Sequence, residues 1–412
     1  MNAIIKKIGI ALAAVGPGLF LIGYNIGTGS VTTMAQSGAD HGMSLFWALI
    51  LSCLFTYILM VAYGRLTIVT GKTALYSLKT EFKYGWIIAL YILVALVIGE
   101  LLALIGVMGI VADLMQEGLK MVFDTSISRF WIILILSLAL YALIWYGKYK
   151  QFEKVLTVFV ILMALSFMAV FIMVKPDLTE IITGMVPQIS NSPGTFGLIA
   201  AMAGTTCSAA VFIVRSTVVA EKGWNKSHIA VEKKDSLVSA VMMLVLSGLI
   251  MAVSAGTLHK MGLRIENTID MVHLFEPLGG KLAVIVLIVG VASAGLSTVF
   301  PIVLIAPWLI SDYMGTPRNL KSPLFRVLIL VGFVFAFGSV ILSQRPPMLM
   351  IFSQAFQACI LPAVAIPILI IMNDKKIMNE YTASKKMNLG ILAVIIFSFV
   401  TTWFAILELM RM

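Results

Sequence analysis

Charge, histidine and cysteine are all scarce in this sequence, and each shortage removes a class of protein. Only 12% of the 412 residues are charged while 60% are hydrophobic, and the mean hydropathy of +1.04 lies outside the range of soluble globular domains. The three cysteines, Cys53, Cys207 and Cys359, are odd in number and each lies inside an apolar stretch, which argues against a disulfide framework and leaves them as small packing residues. His41, His228, His259 and His273 all fall in predicted connections, so no imidazole is expected within a span. No nucleophile, base and acid occur together in the apolar stretches, so neither an enzyme nor a cofactor is expected. Low-complexity tracts and long polar linkers are missing too, which leaves residues 1–412 as one transmembrane domain.

What is present is a series of eleven apolar segments, near residues 10–36, 44–70, 84–112, 130–147, 152–174, 195–221, 236–258, 281–312, 322–342, 347–372 and 387–410. Lys6-Lys7 ahead of an apolar run resembles a signal peptide, but the run continues through Gly23-Tyr24 into a full span. The net charge of +10 does not indicate nucleic acid, because the basic residues alternate between loops. With the N-terminus inside, 17 of the 29 Lys and Arg fall on the cytoplasmic side and 8 on the other. Arg65, Lys154, Arg215 and Arg326 lie within or at the ends of segments and are not counted. The expectation is a multi-pass inner-membrane protein with its N-terminus cytoplasmic and its C-terminus opposite.

Two clusters of small residues interrupt these segments: Asn25-Ile26-Gly27-Thr28-Gly29-Ser30 in the first and Gly204-Thr205-Thr206-Cys207-Ser208 in the sixth. Isolated glycines in a span commonly serve close helix packing. Unwound backbone at mid-bilayer, in contrast, is tolerated only where protein or a polar cavity supplies its hydrogen-bond partners. Two such breaks five segments apart predict an all-α secondary transporter of leucine-transporter-like architecture. Its inverted five-helix repeats would cover about residues 10–174 and 195–372, with an extra helix at about 387–410. A channel fits less well, since paired half-helices suit an occluding site.

Several stretches resemble the Nramp divalent metal transporters. Gly38-Ala39 with Gly42 and Trp47 is similar to the start of that family's second helix, and Thr70-Gly71-Lys72 to its end. Tyr149-Lys150-Gln151-Phe152-Glu153-Lys154 is similar to the polar start of its fifth. Ser353-Gln354, Leu361-Pro362, Ile366-Pro367-Ile368-Leu369 and Asn373-Asp374-Lys375-Lys376 resemble its tenth helix and the following loop. The metal-site motifs depart from the pattern. Gly27-Thr28-Gly29-Ser30 stands where the family has Asp-Pro-Gly-Asn, and Ser208-Ala209-Ala210 where it has Met-Pro-His. The resemblance therefore implies the fold and alternating access, but not the family's metal selectivity.

The expected substrate site comprises Asn25, Gly27, Thr28, Ser30, Thr205, Thr206, Cys207, Ser208 and Gln354, and the same set would serve a metal ion. Neutral oxygens suit a partly hydrated Mg²⁺-like cation better than Mn²⁺ or Fe²⁺, with Cys207 as the one soft ligand and the 25 methionines read as filling. Ile26-Gly27-Thr28-Gly29 also resembles the Ile-Gly-x-Gly turn of amino acid/polyamine/organocation carriers, which makes a small zwitterionic or anionic solute the alternative.

Glu100 is the acidic residue deep in a span, a costly placement that marks it for proton coupling or for a structural hydrogen bond. Ile98-Gly99-Glu100 lies on the family's third-helix acidic motif, with Val97 where a neighbouring Asp would stand. Arg215 is expected either to partner Glu100 or to snorkel, Arg326 to anchor at the interface, and Asp235 and Asp312 to cap helices or meet gate residues. The polar connection at residues 259–280 reads as a solvated loop or short surface helix, with a gate or ion-attracting vestibule as the sharper alternative.

Overall fold

The computed structural model of the protein describes residues 26–124, 127–146, 149–188, 192–278, 285–286, 288–316, 318–342 and 346–410. Among them, eight helical stretches are long and apolar enough to cross a membrane, with two shorter apolar helices beside them. Each predicted span from the second to the eleventh overlaps a helix; of the first, only residues from 26 onward are described. Asn25 lies outside the described residues.

The elements used below are α1 (Thr28–His41), α2 (Phe46–Thr70), α3 (Ala74–Glu81), α4 (Gly85–Phe123), α5 (Arg129–Trp145), α6 (Tyr149–Val174), α7 (Thr195–Thr206), α8 (Ala209–Glu221), α9 (Ile229–Ser254), α10 (Ser293–Met314), α11 (Pro323–Ala336), α12 (Pro346–Ala358), α13 (Leu361–Asn373) and α14 (Lys385–Leu409).

Each glycine cluster holds a helix end among the described residues. Gly27 is extended (φ −103°, ψ −165°) and α1 begins on the next residue without a side-chain cap. In the second cluster α7 ends at Thr206, Cys207 leaves helical geometry, and Ser208 turns extended with its hydroxyl accepting from the Ala210 amide, the usual way to start a new helix. The helix is continuous through Gly204, so the interruption falls at Cys207-Ser208, at the far end of the cluster. Gly204 serves contact instead: a Cβ there would lie 1.7 Å from the Gln354 carbonyl oxygen, and only glycine lets α7 approach α12 so closely.

α1 is fastened along α9. The Ser254 hydroxyl donates to the Ala35 carbonyl, and the Ser30 and Ser247 hydroxyls pair at 3.3 Å. A Thr56 hydroxyl on α2 donates to the Thr206 carbonyl at 2.9 Å, which satisfies backbone freed at the second interruption.

One predicted connection is wrong. The stretch at 113–129 was expected to be a loop, yet α4 runs on to Phe123. Its polar residues are accommodated because Asp113 pairs with Arg129 of α5 and accepts from the Thr268 hydroxyl at 3.0 Å. The connection at 71–84 contains α3, whose first amides are held from outside: Ala74 N–H donates to the Ser216 hydroxyl at 2.9 Å, and Leu75 and Tyr76 N–H donate to the Asp312 carboxylate at 3.2 and 3.3 Å.

Candidate functional site

The start of α1 and the α7–α8 interruption border a common cavity of about 30 Å³. α4 supplies Glu100 and Ala103, α10 supplies Thr298 and Ile302, and α12 supplies Met350, Gln354 and Gln357. Gly27, Gly29, Ser30, Thr205 and Ser208 complete the wall. Six residues singled out from sequence thus meet there: Gly27, Ser30, Glu100, Thr205, Ser208 and Gln354. Three others do not line it. Cys207 is fully buried with its thiol toward Thr56 and Cys53 of α2, Thr206 gives its carbonyl to Thr56, and the Thr28 hydroxyl is turned toward Gly295 of α10. Cys207 is therefore misplaced as a soft ligand, because the end of α7 rotates its side chain away from the cavity.

Gly27 stands where an aspartate would be expected in the family pattern, and the space of that side chain is occupied. A Cβ on Gly27 would sit 1.6 Å from the Thr298 hydroxyl oxygen and 2.6 Å from the Thr298 Cβ. Thr298 was not foreseen, since an apolar segment with an isolated Thr gives no signal of its own. Met350 was read as filling, yet it forms part of the wall. Its methyl group faces Gly29 and its sulfur packs at Gly106 of α4.

The carboxylate missing from α1 is offset from another direction, because Glu100 of α4 faces the same cavity while only 3% exposed. Gln357 Nε2 donates to Glu100 Oε1 at 3.1 Å, and the Ser208 hydroxyl donates to Gln357 Oε1 at 2.7 Å. Gln357 escaped the sequence reading. Its spacing of three from Gln354 places both on one face of α12, which is the signal that was available.

Arg215 neither partners Glu100 nor snorkels. It is fully buried, donating to Asp235 at 2.5 Å, to Glu232 at 3.1 Å and to the Ser236 hydroxyl at 3.1 Å. Two carboxylates on successive turns of α9 hold it, so a charge with no route to water is neutralised in place. Arg326 stacks its guanidinium 3.6 Å from the centre of the Trp145 ring. Among the described residues, no three His, Cys, Asp or Glu side chains gather closely enough to hold a metal ion by themselves.

A model of the family described as Nramp, natural resistance-associated macrophage protein-like, matches residues 18–408. The chain belongs to the Nramp family. Among solved structures, the Eremococcus coleocola manganese transporter in complex with an aromatic bis-isothiourea substituted compound is similar at a TM-score of 0.74 and 16% identity, over 96% of this chain and 86% of that one. Mhp1, a nucleobase-cation-symport-1 family transporter closed with bromovinylhydantoin bound, gives 0.63 and 14% over 95% and 92%. MhsT in complex with L-phenylalanine gives 0.59 and 15% over 96% and 98%. At such identities the likeness is one of fold. This Nramp protein has the leucine-transporter-like architecture read from its two glycine clusters, and it is a multi-pass membrane protein of a metal-ion transporter family, not an enzyme.

Proposed function

We propose that this Nramp protein is a secondary carrier working by alternating access, with a cavity that takes a hard, partly hydrated cation such as Mg²⁺ in preference to Mn²⁺ or Fe²⁺. The observation that carries the reading is the wall itself: one carboxylate, Glu100, among neutral oxygens from Ser30, Thr205, Ser208, Gln354 and Gln357. Hard cations take oxygen ligands, and Mg²⁺ keeps several waters, so one protein carboxylate with hydroxyl and amide oxygens around it is a suitable set. The Met350 sulfur adds little softness, being packed at Gly106. Glu100 is the proton-coupling residue in this reading. In this reading the repeats cover about residues 10–174 and 195–372, the last helix is additional, the membrane is the inner one, and the excess of basic residues in alternate loops supports a cytoplasmic N-terminus.

A second reading is favoured by one observation. α1 starts without a side-chain cap, so its first amides are available to a carboxylate, while Glu100 across the cavity suits an ammonium group. A small zwitterion satisfies both. Thermal unfolding of the purified protein against Mg²⁺, Mn²⁺, Na⁺, K⁺ and amino acids separates the readings, because a ligand that binds the folded state alone raises the midpoint. The first reading expects the largest rise with Mg²⁺; a rise confined to amino acids replaces it with the second, and a larger rise with Mn²⁺ removes the proposed selectivity.

A further inference from the structure

His41 closes α1, and His259 closes the π-helical turn Ala255–His259 that continues α9. The two imidazoles border one cavity of about 180 Å³, whose wall also carries Ser44, Glu180, Thr183 and Gln188. This cavity is distinct from the one at the helix interruptions, because His41 lies at the other end of α1, roughly 20 Å along the helix axis.

Each imidazole is anchored through one ring nitrogen, and the anchor fixes which nitrogen carries the hydrogen. His259 Nδ1 lies 2.8 Å from the Ala39 carbonyl, which only accepts, so Nδ1 carries the hydrogen and Nε2 of the neutral ring keeps a lone pair. Thr195 donates its hydroxyl hydrogen to the Ser192 carbonyl at 2.8 Å, so its oxygen accepts from His41 Nε2 at 3.3 Å. His41 therefore keeps its lone pair on Nδ1. An imidazole held by a carbonyl or hydroxyl through one nitrogen, with the other open, is the arrangement of a metal-ligating histidine.

The backbone brings the rings together. Gly42 follows His41 in the left-handed region (φ +56°), and a Cβ there would stand 3.4 Å from His259 Nε2. The open nitrogen of His259 thus lies over the turn beside His41, and the rings are near enough for a charge on one to oppose a charge on the other. The Ser254–Ala35 and Ser30–Ser247 bonds fasten α1 to α9, so the pair is positioned without a bound ion.

We propose that His41 and His259 form a second metal site, which binds a borderline divalent cation of the Zn²⁺ class through His41 Nδ1 and His259 Nε2. Imidazole suits Zn²⁺, Cu²⁺ and Ni²⁺, whereas Mg²⁺ and Ca²⁺ prefer oxygen. No three His, Cys, Asp or Glu among the described residues gather closely enough to hold the ion alone, so water fills the other positions. The cavity has room for it, at about 30 Å³ for each molecule. Glu180 on the same wall adds negative charge and accepts from the bound water. The site is open, unlike the four-ligand zinc sites that hold folds together, and exposed His259 and Glu180 let the ion exchange with solution. Two nitrogen donors here and an oxygen-rich wall at the helix interruptions make two sites that sort cations by softness.

The test is Zn²⁺ calorimetry on the full chain in lipid nanodiscs with Mg²⁺ in excess. It compares the native protein with His41→Gln, His259→Asn, His228→Ala and Glu100→Gln. Gln at 41 can still donate to Thr195 and Asn at 259 to Ala39, so each of these substitutions keeps the anchoring bond and removes the ligating nitrogen. The expected Zn²⁺ affinity falls at least about tenfold in His41→Gln and in His259→Asn. It is unchanged in His228→Ala, whose ring is engaged by Asn225 and Ser227. Electron paramagnetic resonance of bound Cu²⁺ gives an independent reading, with nitrogen splitting from two imidazoles in the native protein and from one in either variant. Native protein without Zn²⁺ binding, or an affinity unchanged in either His41→Gln or His259→Asn, overturns the site. A fall confined to Glu100→Gln assigns the ion to the cavity at the helix interruptions, one confined to His228→Ala assigns it to that exposed ring, and both overturn the pair.

Discussion

Gly204 and Gln354 meet backbone to backbone beside the cavity: a Cβ on the glycine would come within 1.7 Å of the Gln354 carbonyl oxygen. The helix that leads into the second interruption and the helix that carries both cavity glutamines are thereby held at a distance set by this contact.

Gly204→Ala is expected to force α7 from α12. The backbone oxygen cannot move aside as a side chain would, so the loss is placed at the upper end of the overpacking range, about 3 kcal/mol. Thermal unfolding in detergent measures it. An unchanged midpoint shows that the two helices are not in contact there.

Restoring an aspartate at position 27 needs more than one substitution. Gly27→Asp alone collides with Thr298, so the variant is expected to be less stable and to bind no better. Gly27→Asp/Thr298→Gly opens the space, and adding Ser208→Met supplies a thioether. Calorimetry is expected to show Mn²⁺ affinity in the triple variant at least about tenfold above native, roughly 1.4 kcal/mol. Equal Mn²⁺ affinity in the native and triple variants contradicts the alignment of the two motifs with the family pattern.

Removing Arg215 strands two buried carboxylates. Arg215→Met is expected to cost about 3–5 kcal/mol, whereas Arg215→Met/Glu232→Gln/Asp235→Leu recovers most of it, because the penalty comes from unpaired charge and not from lost volume. Unfolding midpoints of the two variants decide the matter. A triple variant as unstable as the single one assigns the loss to packing.

Glu100→Gln keeps the size of the side chain and removes its titration. In the proton-coupled reading, uptake into liposomes loses its pH dependence while Mg²⁺ binding at alkaline pH weakens through loss of the one cavity carboxylate. PH-dependent uptake identical to native assigns Glu100 to structure alone.

The architecture was legible because spans and breaks each leave a strong local signal: apolar length and clustered small residues. Gly27, Ser30, Thr205 and Ser208 of the cavity wall followed from the same clusters. What stayed hidden depends on rotation about a helix axis or on contacts far apart in sequence. Cys207 sits one residue before Ser208, yet the turn between them sends one side chain to α2 and the other to the cavity. Thr298 and Met350 lie in apolar segments with no periodic or motif signal, and only the packing of α4, α10 and α12 reveals them, whereas Gln357 left the one trace of its three-residue spacing from Gln354. Arg215 looked like an interfacial residue because its partners, Glu232 and Asp235, were read as belonging to a loop and a helix end.

The seating of α3 has a consequence for the pace of any rearrangement on that side of the molecule. Three consecutive backbone donors, on Ala74, Leu75 and Tyr76, depend on side chains from α8 and α10, elements of the second half, although α3 itself continues the first. Lifting α3 exposes those donors and the Asp312 carboxylate together, and each must find water before the separation is complete. These bonds latch α3 to α8 and α10, and parting the three helices requires water to reach three amides and a carboxylate together.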